Sequence, residues 1–212
     1  MPHPFHPDDF PINEDVEVEP TKVLFLKGTI HFKGEASILD LTDKIKRPFD
    51  DFSQKYMRDV GRALEKAEDE PPKYSIQSSG SMMRTLKTIV DRQGEKVCDL
   101  NMTFVSFDNS SVRFPSGSEH CRHEVELYSV DEKNEKHQCF IRHSIPYFWD
   151  MTGGQHGVLY KALNQKRVEV GMVAGHGWDK DAVLAFDADE VDEVVAMSTA
   201  IVMMNGKDAI DY

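Results

Sequence analysis

Residues 194–204 read Val-Val-Ala-Met-Ser-Thr-Ala-Ile-Val-Met-Met, and only Ser198 and Thr199 among these eleven are polar. A surface helix has an apolar stripe and a polar back, so a helix apolar on every side must be covered on every side. Asn205-Gly206 provides its stop, with glycine as a C-cap. Eleven residues rise about 16 Å, whereas a membrane span needs roughly 20 residues. The cover therefore has to come from the chain itself. The length matches that of a mean β-strand, about 17–20 Å, so a sheet closed around the helix would bury it.

The rest of the chain has the texture of such a wall. Short runs rich in β-branched and aromatic residues predict strands at 22–26, 29–33, 37–41, 74–77, 84–90, 96–100, 103–107, 111–114, 123–130, 137–143, 157–163, 167–173 and 182–186. Polar turns separate them. In Asp91-Arg-Gln-Gly94 the glycine supplies a positive φ. The expected fold class is mainly β (α+β). It is an antiparallel β-barrel of about twelve strands wrapped around a buried C-terminal apolar helix at about residues 190–205.

Two segments break the pattern. In 48–67, Phe49, Phe52, Tyr56, Val60, Ala63 and Ala67 recur at helical spacing, which predicts an amphipathic helix with Pro48 in its first turn. Residues 1–20 hold five Pro and six acids but no Lys or Arg, which predicts a disordered or loosely docked tail, with Phe5, Phe10 and Ile12 as a short docking motif. The domain reading is thus an acidic Pro-rich tail, 1–20, and one barrel domain, 21–212.

The chain carries 25 Lys+Arg against 37 Asp+Glu, a net charge of −12. That balance opposes general nucleic-acid binding, which depends on neutralising phosphates. Eleven of the acids lie in the tail and in Asp187, Asp189, Glu190, Asp192 and Glu193; without them 26 acids face 25 bases. The barrel wall is therefore close to neutral, and a local basic groove stays open. Cys98, Cys121 and Cys139 are an odd, scattered set, as expected of free thiols in a reducing compartment. No basic region followed by an apolar one opens the sequence. The expected location is cytoplasmic, with peripheral membrane or nuclear residence as variants.

Three stretches in order carry a resemblance to a known family. They are Ala36-Ser-Ile-Leu-Asp-Leu-Thr-Asp-Lys44, Met83-Arg-Thr-Leu-Lys-Thr-Ile-Val-Asp-Arg-Gln-Gly-Glu-Lys-Val97, and the helix from Asp192 to Met204. With the apolar closing helix, the chain resembles the tubby C-terminal-like superfamily, most of all its LURP-one-related branch. Phospholipid scramblases are distant relatives of that group. The resemblance implies a twelve-stranded barrel around a central helix, and a non-enzymatic binding module rather than a catalyst. It also implies an anionic phospholipid headgroup, such as a phosphoinositide, or a protein partner as ligand. The insert at 48–67 and the acids at the helix entrance depart from the pattern.

Arg offers a fixed donor fork and Lys a point charge to a phosphate. The basic pairs beside the shared motifs, Lys44, Lys46 and Arg47, and Arg84 and Lys87, are the candidate headgroup ligands. A metal-ligand set is a second candidate. If the hairpin turns about Lys133, His123 faces His143, and Cys139-x3-His143 has ligand spacing. Register decides this, because a slip of one residue changes the face. No nucleophile elbow, P-loop or dinucleotide fingerprint occurs, and no cofactor is expected. Two other classes stay open. One is a metal-dependent or hydrolytic enzyme using His123, His143 or His156. The other is a structural adaptor docking through the tail and helix 48–67. Oligomeric state is not legible.

Overall fold

A computed structural model describes residues 5–30, 36–79, 85–102, 110–131, 134–151, 156–176 and 181–205. The expected strand at 103–107, most of that at 29–33, Arg84 and the Gly206 cap lie outside the described residues. The strands are β1 (Lys22–Lys27), β2 (Ala36–Asp40), β3 (Tyr74–Ser79), β4 (Thr85–Asp91), β5 (Lys96–Met102), β6 (Ser110–Arg113), β7 (Val125–Asp131), β8 (Asn134–Arg142), β9 (Ile145–Asp150), β10 (His156–Leu163), β11 (Lys166–His176) and β12 (Asp181–Phe186). The helices are α1 (Gln54–Ala67) and α2 (Glu193–Met204). Each strand pairs antiparallel with its neighbours in sequence, and β1 pairs with β12 to close the barrel. Closure removes the exposed edges that an open sheet would leave.

The helix α2 fills the barrel. Every residue from Val194 to Met204 is buried. Inward positions alternate along the strands and meet it: Leu24 and Leu26, Cys98 and Leu100, Val125 and Leu127, Tyr147 and Trp149, Leu184 and Phe186. The two polar residues of the helix are satisfied internally. Thr199 donates to the Val195 carbonyl at 2.7 Å and accepts from Trp149 Nε1 at 3.1 Å, while Ser198 donates to Val195 O at 3.3 Å. At the far end Asn205 Nδ2 donates to Thr29 O and Ile201 O, both at 2.8 Å, and ties the helix to the segment after β1.

Among the described residues the outer wall has two covers. The apolar face of α1 (Tyr56, Val60, Ala63, Ala67) lies on Val23, Phe25, Met172, Ala174, Val183 and Ala185 of β1, β11 and β12. This helix starts later than its spacing predicts. Asp51 and Phe52 take positive φ of 54° and 57°, which breaks the helix, and Ser53 caps it by accepting from Tyr56 N at 3.2 Å. Phe49 and Phe52 still join the aromatic cluster around Tyr56, at centroid distances of 5.3 and 5.8 Å. The second cover is the acidic N-terminal segment, which lies against the barrel as a strap. Ile12 bridges Arg167 in parallel, with Asn13 N bonded to Arg167 O at 2.8 Å and Arg167 N to Pro11 O at 2.9 Å. Apolar side chains explain this docking: Phe10 packs on Phe148 at 5.8 Å.

One strand, β9, is missing from the sequence expectations. Its Pro146 argues against a strand, and Pro-Tyr-Phe-Trp does not alternate because both of its faces are buried. Pro146 is tolerated at the second position, since the ladder to β10 starts only at Tyr147↔Lys161.

Two substitutions test this packing by urea unfolding. Ile201→Ala, in the fully buried helix, is expected to cost about 2–5 kcal/mol. Gly61→Ala, where an added Cβ meets nothing within 4 Å, is expected to gain about 0.5–1 kcal/mol.

Candidate functional site

Bringing the positive end of α2 into a barrel mouth leaves orphan amides and a local charge to satisfy. Asp192 does this first: its Oδ1 accepts from Val194 N at 2.9 Å and Val195 N at 3.1 Å. The acids of the helix entrance then meet cations set on the rim. Lys73 Nζ lies 2.6 Å from Glu193 Oε1 and 3.1 Å from Asp40 Oδ2. Tyr74 donates to Glu193 at 2.9 Å, and Lys161 pairs with Glu190 at 2.7 Å. His120 Nδ1 lies 3.1 Å from Asp192 Oδ2, and Arg142 donates to His120 O at 2.9 Å. Asp187, Asp189 and Glu190 belong to a turn before the helix rather than to its first turn, as the Asp187 O bonds to Glu190 N and Val191 N show. These contacts form a collar around the N-terminal end of α2.

A concave site lies on the outer wall. A groove of about 650 Å³ separates strap residues 13–19 from the β10–β11 hairpin and the turn after β12. Val16, Val18 and Leu163 line it, Val16 and Leu163 being exposed, together with Val168 and Val170, whose side chains belong to the barrel-interior cluster. Its lining carries Glu14, Asp15, Glu17, Glu19, Glu169, Asp187 and Glu190, with Lys166 among them and Glu190 already paired with Lys161. Burial raises the Glu169 carboxyl above its ordinary value, and the charges of Asp51 and Glu17 add to this. The groove thus holds a negative potential beside the exposed Val16 and Leu163, the chemistry that attracts a basic segment.

The basic residues named from sequence fall in different places. Lys44, in the turn after β2, pairs with Glu70 at 2.9 Å, and Arg47 pairs with Asp59 of α1 at 2.7 Å. Lys46 between them is exposed. Lys87 shares the inward parity of Ile89 on β4; it is buried, donates to Ser78 Oγ, and has its ammonium pKa lowered by burial. Arg84 lies outside the described residues. The structure therefore puts the first set outside the barrel beside α1 and Lys87 inside it.

The His and Cys residues are likewise apart. The β7–β8 register pairs Tyr128 with Cys139 and Ser129 with Gln138, one residue from the register assumed above. His123 precedes β7 and is exposed, and His143 sits at φ 52° in the turn between β8 and β9. Cys139 is buried on the outer wall, and burial pushes its thiol up to about 12. Among the described residues no group of three His, Cys, Asp or Glu is spaced to hold a metal ion. His156 opens β10 with its side chain exposed. Of the docking motif Phe5, Phe10 and Ile12, the two rings pack on the outer wall and Ile12 bridges Arg167; the groove itself has no local signature, because it forms between segments far apart in the chain.

The collar makes stability depend on pH. The hydrogen bond to Asp192 raises the His120 pKa above its ordinary 6.5, against burial. Burial alone would raise Asp192; the His120 bond, the Val195 amide and the charges of His120 and Arg142 outweigh it and hold that carboxyl below its usual range. A raised His pKa stabilises the fold fully below 6.5, and this is lost as pH rises through the folded value. The urea midpoint is expected to fall over that interval in the native chain, and His120→Gln is expected to flatten this part of the profile.

No family model matches the chain, and no curated protein matches it. A solved structure of a protein from Arabidopsis thaliana is similar over 87% of this chain and 91% of that one, at 12% identity and a TM-score of 0.48. The architecture that the resemblance implied, a closed twelve-stranded barrel with a C-terminal helix, is present in the structure.

Proposed function

We propose that this chain is a non-enzymatic binding module that holds a basic segment of a protein partner on its outer wall. The observation that carries the reading is the acidic groove between the strap and the β10–β11 hairpin. Supporting it, α2 occupies the barrel interior, which leaves the outside as the surface for a ligand. An anionic headgroup is the other ligand that the resemblance implies. Two of the three outer cations offered to it, Lys44 and Arg47, already face carboxylates, and the groove repels phosphate. A protein partner is therefore the better fit.

The test titrates a fluorescent Lys-rich octapeptide into the full chain by anisotropy, alongside flotation of vesicles containing a phosphoinositide. The expected result is peptide binding that weakens with salt and drops at least tenfold in Glu14→Lys/Glu17→Lys. Absence of peptide binding at low salt, together with vesicle flotation that Lys46→Glu removes, would replace this reading with the lipid one.

A further inference from the structure

The outer faces of β7 to β11 carry one continuous cross-strand row. Tyr128 lies opposite Cys139, Cys139 opposite Phe148, Phe148 opposite Tyr160, and Tyr160 opposite Glu169. Four of these five are apolar or aromatic, on a face that would meet water if nothing lay over it. Cys139, Phe148 and Tyr160 are buried, with Phe5 and Phe10 of the strap packed on them. The row ends in the acidic groove at Glu169.

The strap holds this face lightly. Its aromatic anchors are only partly buried, and its main chain makes two bonds to Arg167. The turn between the anchors closes on itself, with His6 Nδ1 accepting from Asp8 N at 3.2 Å and His6 N donating to Asp9 at 3.1 Å. Beyond Asn13 the strap runs among like charges. Glu14, Asp15, Glu17 and Glu19 line the same groove as Glu169, Asp187 and Glu190. Such like-charge crowding weakens docking along 14–19, although Val18 is buried and Thr21 N bonds to Phe186 O where the strap joins β1. A segment with the same aromatic pair and the opposite charge keeps the ring contacts and relieves the crowding.

We propose that the outer face of β8, β9 and β10 is a docking surface for an extended partner segment, and that the strap is its displaceable built-in occupant. That segment carries two aromatic side chains five residues apart, as Phe5 and Phe10 are, followed by basic residues. The preference for basic residues rests on the groove reading above; the aromatic pair does not. An intramolecular occupant competes at high effective concentration, so weakening the strap exposes the site to a partner.

The test uses the full chain and a labelled peptide with two Phe five residues apart, neutral residues between them and four Lys after them. The expected result is at least tenfold tighter binding to Phe10→Ala than to the native chain, with the gain lost when Ser replaces both peptide Phe. In the native chain, hydrogen exchange at the Asn13 and Arg167 amides is expected to accelerate when the peptide saturates it, a readout independent of how well the variant folds. Equal affinity for the two chains, no binding to either, or unchanged exchange at Asn13 overturns the proposal. Dimerisation of Phe10→Ala without peptide binding assigns the face to a second copy and also overturns it. Failure of the Lys-rich octapeptide while this peptide still favours Phe10→Ala removes the groove reading and leaves the aromatic row standing.

Discussion

A helix with no polar face is stable in water only inside something, and here the something is the rest of the chain. Along α2 the side chains from Val194 to Met204 are buried against inward residues from strands all around the barrel. That one requirement calls for a closed wall with inward apolar positions on its strands, which the pairing of β1 with β12 completes. It also sets an electrostatic demand at one mouth. The amides of the first turn need acceptors, and the acids that supply them need cations. Asp192 meets the first need; His120 and Arg142 beside Asp192, and Lys73 beside Glu193, meet the second. Much of the chain's surplus of acid is thus partly structural.

With the interior occupied, recognition moves to the outside. The wall is covered in two ways that differ in strength. The helix α1 buries a full apolar face and an aromatic cluster on β1, β11 and β12. The strap makes two backbone bonds and seats two phenyl rings, with carboxylates on both sides of the groove it borders. Regions with few buried contacts open at lower free energy than the core, and ligand-binding elements are drawn from that end of the scale. The strap is the element of this molecule that fits the description.

The sequence made α2 legible because nine of eleven apolar residues, uncapped by any polar face, allow one environment only. It made the buried face of α1 legible through period, and the Gly94 turn through chemistry, with φ at 81°. Where α1 starts was hidden, because Pro48 is a good first-turn residue locally while the positive φ at Asp51 and Phe52 is a tertiary choice. The strand β9 was hidden by Pro146 and by burial on both faces, which erases alternation. The collar was hidden for a different reason. Lys73 and Glu193 are 120 residues apart, and no local pattern announces a pair formed by barrel closure. The basic clusters were visible as residues, but only the fold could show that Lys87 points inward and that Arg47 already has a partner.

The account stands on α2 and the barrel wall forming one cooperative unit, and native-state hydrogen exchange along α2 tests that most directly. The amides from Ala196 to Met203 are predicted to exchange only through global unfolding, with protection equal to the stability measured in urea and the same urea dependence. Exchange of these amides through a smaller opening, insensitive to urea while the strands stay protected, would show that the helix leaves the barrel on its own and would contradict it.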